Sequence, residues 1–172
     1  EHFTLAPASN DASFRRYFRV SLTAPARTFI FMDAPPSKED CRPFVHVAGL
    51  FAAAGVHVPT VVAQDLEQGF LLLSDLGTTT YLQALADTPP DGLYQQAFSA
   101  LVAIQKTSKP SVLPDYDRAL LERELRLFPD WYIAKHLNRS LSTTQANLLD
   151  KVFEQILANN LAQPRVYVHR DY

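Results

Sequence analysis

The last seven residues, Val166-Tyr167-Val168-His169-Arg170-Asp171-Tyr172, carry the side chains best suited to chemistry. The β-branched and aromatic run after Pro164 predicts a short buried strand. It delivers His169, Arg170 and Asp171 to a turn at its carboxyl end. An aspartate held there can accept or orient the proton of an attacking hydroxyl. The same tripeptide also suits a plain turn capped by the Asp side chain, and taken alone it leaves both readings open. Arg16 is the second candidate. It interrupts an alternating run, with Phe14, Arg16, Phe18, Val20 and Leu22 on one face and Arg15, Tyr17, Arg19 and Ser21 on the other. It is either a guanidinium snorkelling to a sheet edge or a cation held over a cleft to meet phosphate oxygens. His46 and His57 have no visible partners and read as surface or packing residues.

Composition limits what can position these groups. The 172 residues are 47% hydrophobic and 20% charged, which suits one folded domain, or a small lobe plus the start of a larger one. A net charge of −2 supplies no general basic field for nucleic acid or an anionic membrane. Cys41 is the single cysteine, so an intramolecular disulfide and a metal site of Cys pairs are excluded. Neither a signal-peptide pattern nor an apolar run of membrane-span length is visible. These features lead us to expect a cytoplasmic protein with no nucleic-acid or membrane partner.

The pattern then orders the elements. Residues 3–5 predict a first strand, residues 7–13 a turn, and residues 14–22 and 27–33 two more strands. Pro43 opens a helix with Phe44, Val47, Leu50, Phe51 and Ala54 on one stripe, and Gly55 stops it. Residues 58–63, a turn at 64–69, and Phe70-Leu71-Leu72-Leu73 predict the remaining strands. This is an α+β lobe on an antiparallel sheet. Thr78-Thr79-Thr80 caps a short helix, and residues 87–92 form a linker. The rest is mainly helical, on stripes through Leu93, Ala97, Leu101 and Ile104, and through Leu121, Leu125 and Phe128. Pro129 should kink or split the latter helix. Ser142-Thr143-Thr144-Gln145 matches a capping box, and Asn159-Asn160 marks the end of that last helix.

Five motifs in order carry a resemblance: residues 9–20, Met32-Asp33-Ala34-Pro35-Pro36, Leu72-Leu73-Ser74-Asp75-Leu76-Gly77, residues 124–132, and His169-Arg170-Asp171-Tyr172. Together they resemble the aminoglycoside phosphotransferase-like, kinase-like family. Within it they are most similar to the bacterial kinases that phosphorylate the anomeric hydroxyl of N-acetylmuramate or N-acetylglucosamine in cell-wall recycling. The resemblance covers essentially the whole chain. It implies a protein-kinase-like two-lobe α+β fold. Residues 1–76 would be a nucleotide-binding lobe, with a five-stranded antiparallel sheet and one helix. Residues 77–172 would begin a mainly helical catalytic lobe, cut short at the catalytic loop.

The resemblance further implies an ATP- and Mg²⁺-dependent enzyme with a small-molecule sugar substrate. Asp171 would be catalytic. Asn10, Asp11, Ser13 and Arg16 would lie at the nucleotide phosphates, and Ser74, Asp75 and Leu76 would form the hinge that reads adenine. Glu124 and Asp130 would accept sugar hydroxyl protons, and Trp131 would stack on the ring. Each of those three also reads as an ordinary helix residue. This sequence departs from the family pattern in two ways. The third strand reads Phe29-Ile30-Phe31-Met32, with no Lys, and Arg16 is the candidate substitute. The Asn and Asp that would bind magnesium do not follow Asp171, so no metal ligand is expected within these residues and they are expected to be inactive alone. Two other readings remain: a kinase for an aminoglycoside, choline or another small alcohol, and a non-catalytic kinase-like nucleotide-binding or interaction module.

Overall fold

A computed structural model describes residues 2–10 and 13–172. The chain forms two compact units, one running to Thr107 and one from Ser108 to Tyr172.

The first unit is built on five strands: β1 (Phe3–Asn10), β2 (Arg16–Thr23), β3 (Ala26–Asp33), β4 (Val61–Asp65) and β5 (Phe70–Ser74). They pair antiparallel in the order β1-β2-β3-β5-β4. Helix α1 (Arg42–Ala53) connects β3 to β4. The sheet and its helix match the expected α+β lobe. Residues 7–10 of the turn expected at 7–13 belong instead to β1, which continues to Asn10 through a shift in register between Pro7 and Ser9. Pro7 lacks a donor, and such a shift absorbs it at an edge strand.

The alternation of β2 resolves in an unexpected direction. Tyr17 and Ile30 pack on the buried cluster of Met32, Ala34, Cys41, Leu71 and Leu73, together with Phe44 and Val45 of α1. The core face of β2 is therefore the one that carries Tyr17, not the one richer in Phe and Val. Phe18, Phe31 and Phe70 cover the opposite face with ring centroids 6.4 and 5.4 Å apart. Burying Met32 and Leu71 contributes roughly 1.5–3 kcal/mol each.

The β4–β5 turn is drawn onto the end of β3. Ala34 N–H donates to the Gly69 carbonyl at 2.9 Å. Gly69 sits at φ +76°, and a Cβ there would lie 1.9 Å from the Ala34 carbonyl oxygen. Only glycine fits that approach.

Helix α2 (Tyr81–Ala84) carries a capping box between Thr80 and Gln83. Helix α3 (Pro90–Lys106) starts inside the expected linker, because proline suits a first helical turn. In the second unit, Asp117 caps α4 (Arg118–Leu127) by accepting the Leu120 N–H at 2.9 Å. The expected break at Pro129 takes the form of a π-helix, Phe128–His136. A proline N cannot close the normal i−4 bond, and the wider turn tolerates that loss. The Ser142–Gln145 capping box opens α5 (Thr143–Leu161), which runs slightly past the expected end. Arg126 ties α4 to α5 through Asp150 at 2.7 Å and the face of Phe153 at 5.4 Å.

One expected element is absent. Residues 166–168 are not in a strand. Their alternation survives, with Tyr167 buried between exposed Val166 and Val168. A strand also needs a partner ladder, and none of the described strands pairs with them.

Candidate active site

Side chains of the second unit contact residues 165–170. Tyr167 N–H donates to Ser108 Oγ at 2.7 Å. Arg165 pairs with Asp115 at 3.2 Å. The Tyr167 hydroxyl is buried and has no hydrogen-bond partner among the described residues. The chain then turns at Arg170, whose φ of +72° is left-handed. That conformation is uncommon for a residue with a Cβ. The Arg170 guanidinium donates to Glu124 Oε1 at 2.5 Å and lies 5.4 Å over the Tyr116 ring. The Tyr116 hydroxyl donates to the other oxygen, Glu124 Oε2. Asp171 is exposed just past this bend. The imidazole of His169 packs edge-on against Tyr172 at 5.3 Å.

The sugar-site candidates separate. Both carboxylate oxygens of Glu124 are engaged, which joins Glu124 to the His169-Arg170-Asp171 turn. The Tyr116 phenol is raised above its ordinary range, first because it hydrogen-bonds the Glu124 carboxylate and then because it loses water. Asp130 and Trp131 stand exposed at the start of the π-helix, outside that cluster, with Trp131 64% exposed. An adjacent ladder of rings, Phe128 on Tyr132 and Tyr132 on His136, stacks at 5.6 and 5.4 Å.

In the first unit, a groove of about 420 Å³ is lined by Pro7, Ser9, Ser13, Arg15, Arg16 and Phe18 among others. Arg16 is largely exposed and pairs with Asp33 across the β2–β3 ladder. Arg15 pairs with Glu39 at 3.4 Å, and Glu39 also accepts the Phe14 N–H at 3.2 Å. Lys38 lies 5.3 Å over the Phe14 ring. Residues 38–39, which precede α1, thus pin the start of β2. Asn10 ends β1 opposite Arg16, and Asp11 lies outside the described residues.

At the exit of β5, Asp75 forms a hub. Arg19 Nε and Nη2 donate to its two oxygens at 2.6 and 3.1 Å, and the Gly77 N–H donates to Oδ1 at 2.9 Å. Arg19 Nη2 also donates to the Gly77 carbonyl at 3.0 Å. The Arg19 guanidinium holds the Asp75 carboxyl down at about 2, against the opposing effect of burial. Ser74 N–H and Oγ are both committed to Thr60. Leu76 is exposed.

Sequence reasoning missed Arg15, Arg19, Tyr116 and Ser108. Arg19 and Asp75 are 56 positions apart, and Arg170 and Glu124 are 46 apart. No local spacing rule reaches that far.

The model of the phosphotransferase enzyme family, APH, matches residues 4–172. The chain belongs to the APH family. It is 55% identical over 168 residues to the N-acetylmuramate/N-acetylglucosamine kinase of Pseudomonas aeruginosa, covering 98% of this chain and 49% of that protein. It is 48% identical over 169 residues to the kinase of that name from Pseudomonas putida, covering 98% and 49%. For the Neisseria meningitidis protein of the same name the identity is 42% over 174 residues, covering 99% and 51%. The chain spans about half the length of these APH relatives. Among the described residues no three His, Cys, Asp or Glu side chains converge to hold a metal ion. No helix among them is long and apolar enough to cross a membrane.

Proposed function

We propose that the full-length protein is a cytoplasmic kinase that transfers the γ-phosphoryl group of ATP to the anomeric hydroxyl of N-acetylmuramate or N-acetylglucosamine. One observation carries this reading. The chain is 55% identical, across 98% of its length, to a protein named for that activity. Residues 1–76 would bind nucleotide and residues 77–172 would begin the catalytic lobe. The guanidinium and hydroxyl groups that line the groove along β1 and β2 suit the anionic oxygens of a nucleotide. In this reading the four residues Asn10, Asp11, Ser13 and Arg16 serve the nucleotide phosphates. Ser74, Asp75 and Leu76 form the hinge, and Asp130 and Trp131 bind the sugar. Glu124 stands with Asp130 and Trp131 among the sugar-site candidates and also accepts from Arg170 beside the catalytic turn.

Asp171 orients the sugar hydroxyl and takes its proton. The sugar oxygen bonds to the γ-phosphorus as the bond to the departing ADP oxygen breaks. The gain comes from positioning and from neutralising charge on the transferred group. Among the described residues no side-chain cluster fits a magnesium ion.

The test is ADP release by the full-length protein with N-acetylmuramate, N-acetylglucosamine, an aminoglycoside or choline. The reading expects turnover with the two amino sugars. Turnover with the aminoglycoside or choline alone would replace the substrate. Nucleotide binding with no turnover on any acceptor would favour a non-catalytic module.

A further inference from the structure

We propose that Tyr116 and Glu124 are positioning residues. They clamp Arg170, and through it the left-handed bend that presents Asp171. The kinetic part of this proposal rests on the sugar-kinase reading above. The structural part does not.

Three observations converge. The described contacts of the segment that carries Asp171 are made by side chains: Ser108 Oγ accepts the Tyr167 N–H, Asp115 pairs with Arg165, and Glu124 holds Arg170. Arg170 holds a backbone conformation that a residue with a Cβ adopts only when its surroundings over-determine it. Its guanidinium is fixed on two sides, by the Glu124 carboxylate at 2.5 Å and the Tyr116 ring at 5.4 Å. Tyr116 closes the triangle by donating to the second Glu124 oxygen. The raised phenol stays neutral and remains a donor at ordinary pH. With one bond on each oxygen, Glu124 joins Arg170 to Tyr116. Tyr116 stands just before Asp117, the cap of α4, and Glu124 lies within that helix. The bend is thereby referred to a rigid element.

Positioning and sugar binding differ in what they change. Loss of a positioning contact lowers kcat and spares KM, whereas loss of a sugar contact raises KM for the sugar. In the full-length protein, Glu124→Gln and Arg170→Met should each lower kcat about tenfold or more, with KM for sugar and ATP changed less than about threefold. The double variant should be no slower than the worse single one, because both remove the same contact. Arg170→Lys should recover part of the rate. Backbone amides of residues 168–172 should exchange with solvent about tenfold faster in Glu124→Gln, with α5 unchanged.

Tyr116→Phe keeps the ion pair and the fold. It should show a smaller kcat loss in the same direction, and a wild-type rate in it overturns the proposal. A rise in sugar KM alone, additive losses in the double variant, or unchanged exchange at residues 168–172 also overturn it. If the wild-type protein releases no sugar-dependent ADP, the functional reading fails, and the exchange measurement still decides whether the clamp exists.

Discussion

Replacing Asp75 with Asn tests the hub that ties β2 to the exit of β5. The Asp75 side chain is 6% exposed and takes two bonds from Arg19 and one from Gly77 N–H. Its carboxyl lies at about 2 in the folded protein against an ordinary 3.8. That difference corresponds to roughly 2 kcal/mol in favour of the folded state at neutral pH. Arg19 is 24% exposed, and solvent on that side lowers the expectation to about 1–2 kcal/mol. The sign follows from the direction. A carboxyl depressed on folding stabilises fully above about pH 4, and the contribution fades as pH falls towards about 2. Asp75→Asn keeps the size of the side chain and removes the charge. The measurement is urea unfolding of both proteins from pH 7 down to the lowest pH at which both fold. The stability difference should be about 1–2 kcal/mol at pH 7 and shrink steadily below about pH 4. A difference below about 0.3 kcal/mol at pH 7, or one that does not change with acid, would refute the reasoning.

Other expectations follow from packing. Gly69→Ala places a Cβ 1.9 Å from the Ala34 carbonyl at a positive φ and should cost about 3 kcal/mol or more in urea unfolding. Gly49→Ala, inside α1 with open space around it, should instead stabilise by up to about 1 kcal/mol in the same assay. Tyr167→Phe removes a buried hydroxyl that no described residue satisfies, so stability should hold or rise by about 1 kcal/mol. A clear fall in its melting temperature would show that the hydroxyl has a partner.

Local patterns were legible where a residue acts on near neighbours. Pro43 in the first turn of α1, the Ser142–Gln145 capping box and the disturbance at Pro129 all lie within a few positions of their effect. The antiparallel sheet was legible from period-two alternation. Its facing was not. Both faces of β2 carry large side chains, and Tyr17 with its apolar ring took the core while Phe18 joined an aromatic patch. Residues 166–168 alternate as a strand does, with Tyr167 buried between exposed neighbours, but no described strand pairs with them. The site candidates suffered the same limit. Glu124 read as an open acceptor because its partners, Tyr116 and Arg170, are distant in sequence. Arg16 read either as an edge guanidinium or as a cation for phosphate, and its pairing with Asp33 comes from strand register, which neither reading contained.

In the proposed function Asp171 performs the proton chemistry of an amino-sugar kinase. The direct measurement is single-turnover phosphorylation of N-acetylglucosamine by the full-length protein and its Asp171→Asn variant, with nucleotide and sugar binding measured alongside. The substitution keeps the shape and removes the base. The account expects the rate to fall roughly a hundredfold or more while both ligands still bind. An Asp171→Asn protein with the wild-type rate would contradict it.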